Sequence, residues 1–252
     1  MKLLVGSTRS RALLERMREL GWGRMFTLQA PTPYPGEDWA LDNGVFVNFK
    51  EQFVDWKKHE PWNEAKFNLL VDRVDRRVRQ AQLSMPLFVV LPDKVADPAS
   101  LEYSVDWYNR TGAWRTVLPW YLVLQNGMSE RDVARVVRSG SARSRGQQGA
   151  ISGLFLGGDD AFKLTAPSWC RLARRLGVAF HYARVSSIQR LRAAYEMGAD
   201  SADSAQVLRS MPIFDRYARA WLELTGRGSS ARDARSIWRR WRPWTRTFEA
   251  GP

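Results

Sequence analysis

The stretch Gly198-Ala199-Asp200-Ser201-Ala202-Asp203-Ser204 comes after a strand-like run, Val178-Ala179-Phe180-His181-Tyr182-Ala183-Arg184-Val185, and a helical run over 187–197. In the helical run Ile188, Leu191, Ala194 and Tyr195 are the apolar or small residues, spaced as on one helix face. A strand, a helix and a second short strand ending in a carboxylate form a βαβ unit. Such folds set their reacting groups at the C-terminal ends of parallel strands, which makes Asp203 the first candidate for chemistry. The plainer reading is that Asp200 or Asp203 caps the next helix.

Working outward, the same alternation recurs. Strand-like runs lie at 2–5, 25–28, 39–44, 87–91, 120–124 and 151–156, and helical runs at 9–20, 63–82, 99–109, 129–138 and 167–176. In the run at 63–82, Phe67, Leu70, Val71, Val74 and Val78 form one stripe. The segment 29–38 is Pro-rich and leaves no room for a helix, and 45–62 reads as a long aromatic loop. Continuous apolar strands separated by helices indicate a parallel sheet covered by helices. Eight such strands in 252 residues predict an α/β fold of the (β/α)8 TIM-like barrel type, with a doubly wound open sheet as the alternative. The expected division is a barrel over 1–210 and a basic, Arg/Trp-rich helical extension over 211–252 packed on it.

The composition narrows the partner. Lys and Arg number 39 against 26 Asp and Glu, a formal charge of +13, which favours a polyanion, nucleic acid before anionic membrane. Met1 to Leu4 is too short for the apolar core of a signal peptide, and no run approaches the length of a membrane span, so a soluble intracellular protein is expected. Cys170 is the single cysteine, so neither an internal disulfide nor a multi-cysteine zinc site can form, and no zinc subdomain is expected. Twelve tryptophans suit a core or a base-stacking surface equally well.

The polar signals gather where strands end: Asp42-Asn43-Gly44, Pro92-Asp93, Gln125-Asn126-Gly127, Gly157-Gly158-Asp159, Arg184 and Asp203. In a barrel these positions share one rim. Each suits a purine edge. A carboxylate accepts from the N1–H and amine of guanine, a Gln both donates and accepts, and a Gly-Gly turn lets backbone N–H groups approach a carbonyl closely. Two further carboxylates suit chemistry at an anomeric carbon, one attacking and one moving protons.

This ordered set resembles the tRNA-guanine transglycosylase superfamily, and most of all the branch that inserts 7-deazaguanine bases into DNA in bacteriophages and bacteria. The resemblance runs from about Trp39 to Ser210. Asp42-Asn43-Gly44-Val45-Phe46 is similar to the Asp-Ser-Gly-Gly-Phe segment whose Asp is the general acid/base. Asp93, after Phe88-Val89-Val90-Leu91-Pro92, resembles the base-recognising Asp. Val123-Leu124-Gln125-Asn126-Gly127 resembles the Val-Gln-Gly segment whose Gln contacts the base, and Leu156-Gly157-Gly158 the turn whose backbone meets the purine carbonyl. Asp203 takes the place of the nucleophile. The departures are the missing zinc-binding cysteines, a shorter chain, Asn43 and Val45 beside the acid/base, and Asp159 after the Gly-Gly turn, near the pocket for the 7-substituent.

The resemblance implies exchange of guanine for a 7-deazaguanine, in DNA rather than tRNA. It implies a free 7-deazaguanine base as co-substrate, no metal or other cofactor, no membrane, and room for a helper protein. The setting it implies is the cytoplasm of a bacterial or phage-infected bacterial cell. Around this frame Phe46 is a candidate to stack on the base, or else a core aromatic. Lys163 and Arg184 are phosphate candidates, Arg184 alternatively pairing with a rim carboxylate. His181, within a strand, reads as structural, and Cys170 as a buried small residue. The run Ile237-Trp238-Arg239-Arg240-Trp241-Arg242-Pro243-Trp244 interleaves arginines with aromatics. Arg239, Arg240 and Arg242 are therefore candidate nucleic-acid contacts, unless the segment docks its tryptophans on the barrel.

Overall fold

The computed structural model describes residues 1–45, 62–143 and 149–226, the side chains of 140–143 excepted. Eight parallel strands close into a barrel in chain order. They are β1 (Lys2–Gly6), β2 (Gly23–Thr27), β3 (Trp39–Asp42), β4 (Phe88–Val90), β5 (Trp120–Leu124), β6 (Ile151–Leu156), β7 (Ala179–Tyr182) and β8 (Ser201–Ser204). The described helices are α1 (Arg11–Leu20), α2 (Glu64–Arg79), α3 (Ser100–Arg110), α4 (Glu130–Arg143), α5 (Ala166–Leu176), α6 (Ile188–Glu196) and α7 (Met211–Leu224). This is the (β/α)8 architecture that the alternation predicts. The open sheet is excluded, because β8 pairs with both β7 and β1.

The step without a helix falls at 28–38, as the prolines there require, and β2 still pairs directly with β3, Thr27 lying opposite Asp42. Arg24, buried on β2, pins this crossing: its guanidinium donates to both carboxylate oxygens of Glu37, at 2.6 and 2.7 Å, and to the Thr32 carbonyl at 2.7 Å. Helix ends follow local chemistry. Asn63 and Ser187 cap α2 and α6 through their side chains, and Gly21 and Gly177 end α1 and α5 in left-handed geometry. Helix α7 packs on α6 and α1 and completes the helical ring. The first part of the expected extension, 211–224, thus occupies the place of the last barrel helix. Its remainder, 227–252, lies outside the described residues.

The period of two along each strand divides the apolar residues into two cores. Residues facing outward, among them Leu3, Phe26, Leu41, Val89, Leu122 and Leu154, pack under the helices. Residues facing inward, among them Leu4, Met25, Phe88, Tyr121, Val123 and Phe155, fill the barrel. Trp22, Trp39, Trp107, Trp120, Trp169 and Trp221 are all buried, so for these six the choice between core and binding surface falls to core. Cys170 is buried too. No helix among the described residues is long and apolar enough to cross a membrane.

Candidate active site

The inward parity that fills the barrel with Ala40, Val123, Phe155 and Ser201 puts Asp42, Gln125, Gly157 and Asp203 two residues further on, at the C-terminal rim. There they line a cavity of about 240 Å³ together with Asn43, Asp93 and Arg184. Its walls are apolar at Met25, Val90, Val95, Val123 and Phe155. That volume lies a little under the roughly 300–1,000 Å³ of pockets for drug-sized ligands, and suits one flat ring system rather than a whole nucleotide. Asp200 sits at the opposite end of β8, accepting the Phe180 N–H at 2.8 Å. Asp97 is spent on the Ala99 N–H, also at 2.8 Å.

Asp42 ends β3, with the Thr27 hydroxyl 3.3 Å from its Oδ2. Burial, then the neighbouring charges of Asp203 and Asp93, push its carboxyl up to about 7. Asp203 lies equally deep but is held differently. Its Oδ1 meets His181 Nε2 at 2.9 Å and the Arg184 backbone N–H at 2.9 Å. Burial opposes its charge, yet the His181 hydrogen bond leads a set of contacts that keep it below the usual carboxylate range. Two carboxyl groups on one cavity thus sit in opposite environments, one pushed up to about 7 and one kept below the usual carboxylate range.

Asp93 forms the other side of the site. Asn43 Nδ2 donates to its Oδ1 at 2.7 Å and Gln125 Nε2 to its Oδ2 at 2.6 Å. Burial raises it to about 6, and those two amides and Arg184 oppose the rise. Asn43 also donates to the Leu91 carbonyl at 2.7 Å and accepts the Val45 N–H at 2.9 Å, so its position is over-determined. Gln125 Oε1 accepts from Ala96 N–H at 3.1 Å and Gly158 N–H at 3.0 Å. Leu28, Ala96 and Arg184, non-glycine residues just after β2, β4 and β7, have φ of 51°, 54° and 55°. Such backbone is costly and collects at functional rims.

Several expectations need correction. The Gly-Gly turn does not present open N–H groups: Gly157 donates to the Leu124 carbonyl at 3.0 Å, and Gly158 to Gln125. The reason is that Gln125, buried beside them, needs an N–H partner for its own oxygen. Lys163 is not a surface phosphate ligand. It is 4% exposed, its Nζ donates to the Ala183 carbonyl at 2.5 Å, and burial, then the charge of Arg184, pushes it down to about 7. Arg184 reaches the cavity wall, but its guanidinium donates to the Gly158 carbonyl, tying the ends of β6 and β7 together. Asp159 is exposed, caps the turn at Phe162 and does not line the cavity. His181 is more than structural padding, since it touches Asp203. Phe46, Arg239, Arg240 and Arg242 lie outside the described residues.

Sequence reasoning passed over Thr27, noted Asn43 only as a departure beside Asp42, and read His181 as structural. His181 carried a readable signal, a polar ring at an inward position of an otherwise apolar strand.

No family model matches the chain, and no curated protein matches it. A solved structure described as native KDPGal is similar over 90% of this chain and 94% of that one, at 12% identity and a TM-score of 0.46. A likeness this distant says nothing of the chemistry at the rim.

Proposed function

We propose that the protein is an enzyme of the transglycosylase type, exchanging guanine for a 7-deazaguanine base in nucleic acid, with DNA as the polymer. The observation that carries the reading is the pair Asp42 and Asp203 lining the same cavity, one pushed up to about 7 and one kept below the usual carboxylate range. The cavity is sized for a base, and a duplex hides C1′, so the nucleotide must leave the stack to reach it.

In this reading an oxygen of Asp203 attacks C1′ as the bond from C1′ to the guanine nitrogen breaks. Guanine leaves with the bonding pair and takes the proton of Asp42. The incoming base returns a proton to Asp42 and attacks C1′, releasing Asp203. Two inversions keep the original configuration. Asp93 and Gln125 supply acceptor and donor to the base edge, steadied by Asn43. A base carbonyl that is to meet the Gly158 N–H must replace Gln125 Oε1 there, so binding exchanges one hydrogen bond for another.

Support for DNA over tRNA comes from sequence: the Arg- and Trp-rich run 237–246 has a composition that holds an unstacked strand without demanding a folded RNA shape. The test offers equal amounts of duplex DNA and total tRNA with a labelled 7-deazaguanine, then digests each to nucleosides. Label is expected in deoxynucleosides. Label confined to tRNA nucleosides reverses the polymer, and label in neither removes the activity.

A further inference from the structure

We propose that His181 is a positioning residue that clamps Oδ1 of Asp203 and thereby reserves Oδ2 as the attacking atom. The inference rests on the reading of Asp203 as nucleophile and adds a residue and an oxygen to it. His181 and Ser201 are register partners across β7 and β8, and Asp203 lies two residues beyond Ser201 on the same face. One imidazole therefore spans both: Nδ1 stands 2.8 Å from Ser201 Oγ and Nε2 2.9 Å from Asp203 Oδ1. The ring is fully buried and does not line the cavity, so it acts through Asp203 and not on substrate.

Its plane is fixed by packing. Phe155 stacks on it at 4.6 Å and 11°, and Phe88 lies 4.8 Å away at a tilt. Burial holds the imidazole below its usual range and hence neutral. A neutral ring facing a carboxylate donates from Nε2, which leaves Nδ1 to accept the Ser201 O–H. The carboxylate, which can only accept, assigns the tautomer, and the Ser201 hydroxyl, free to donate, complements it. The Arg184 N–H, in left-handed backbone, adds the second bond to Oδ1. The hydrogen bonds holding Asp203 therefore converge on one oxygen and fix the carboxylate plane at the rim.

His181→Leu removes the clamp at nearly constant bulk, and His181→Gln keeps a donor. Exchange by His181→Leu is expected to lose about a hundredfold in kcat, the scale of an ångström's misplacement, with KM for the polymer little changed. The acid limb of its pH profile is expected to move up, because the anion has lost a donor, and His181→Gln recovers much of both. Ser201→Ala moves both in the same direction by less, and serves if His181→Leu does not fold. Unchanged kcat and acid limb in the folded variants overturn the proposal. A readout without turnover separates it from the transglycosylase reading: the ¹³C titration of the Asp203 carboxyl shifts up in His181→Leu if the clamp exists. A shifted titration with no exchange by the wild type leaves the clamp and removes the reaction. An unshifted titration removes the clamp whatever the activity.

Discussion

Asp42 and Asp203 are the same side chain in opposite surroundings, and the proposed reaction gives them opposite tasks on that account. Asp42 has two like-charged neighbours that outweigh the Thr27 hydroxyl and the Gly44 backbone N–H; Asp203 has an imidazole and a backbone N–H. This has a thermodynamic sign. The folded protein holds the Asp42 proton up to about 7, whereas the unfolded chain releases it near 3.8. Between those values the folded state binds the extra proton, so stability from this group is full at low pH and falls as pH rises through 7. Asp42→Asn has no charge to bury. It is expected to melt above the wild type at pH 8, by about 1–3 kcal/mol after allowing for the open cavity beside it, and close to it at pH 4. Thermal melts at both values check this, and equal gaps at the two pH values contradict it. The strand-end carboxylates and Gln125 were legible because that position alone selects them. Thr27 was not, and although Asn43 and His181 stood out as polar residues, their pairing with Asp93 and Asp203 did not, because each acts across to a neighbouring strand or loop and such reach depends on register. The burial of Lys163 was equally hidden: nothing local distinguishes an inward lysine from an outward one.

At the scale of elements, the alternation of apolar runs with helical ones located every strand; most ends differed by a residue or two, but β7 and α2 stop three residues earlier than read, and α4 runs five residues further, to Arg143. The missing helix between β2 and β3 was readable from the prolines at 31, 33 and 35. What alternation does not carry is how the strands' inward side chains fit. Tyr121 lies flat against the backbone of β6, stacked on Phe88 at 4.4 Å, and it can do so because residue 153 is Gly. A Cβ there would stand 2.3 Å from the Tyr121 ring. Gly153→Ala is expected to cost about 1–3 kcal/mol through overpacking. In a domain of this size that lowers Tm by roughly 2–4 °C per kcal/mol. Calorimetry reads it, and an unchanged Tm means that the ring moves aside freely. Gly158 is the rim counterpart: it has φ +68° and a Cβ would strike Phe162, so the turn beside Gln125 admits little else.

At the scale of the molecule, the barrel gathers one rim from distant segments, and the charge of +13 bears on the proposed polyanionic partner more than on the fold. The segment 229–252 carries six arginines against Asp233 and Glu249. If it makes three phosphate contacts, its removal is expected to reduce the log–log salt slope of duplex binding by roughly 2.7, at about 0.9 per phosphate. An unchanged slope in a folded truncation assigns that part of the charge elsewhere. The barrel itself was legible from strand count and spacing; the proposed reaction rests on the ordered strand-end residues and not on the barrel, because many chemistries share this architecture. The claim that joins these scales is that Asp203 becomes bonded to C1′. Acid-quenching the protein with a guanine-containing oligodeoxynucleotide, digesting it and weighing the peptides addresses that bond directly. A deoxynucleotide adduct on the peptide bearing Asp203, absent from Asp203→Asn, is the expected finding. An adduct on another residue, or base exchange that Asp203→Asn performs at the wild-type rate, would contradict it.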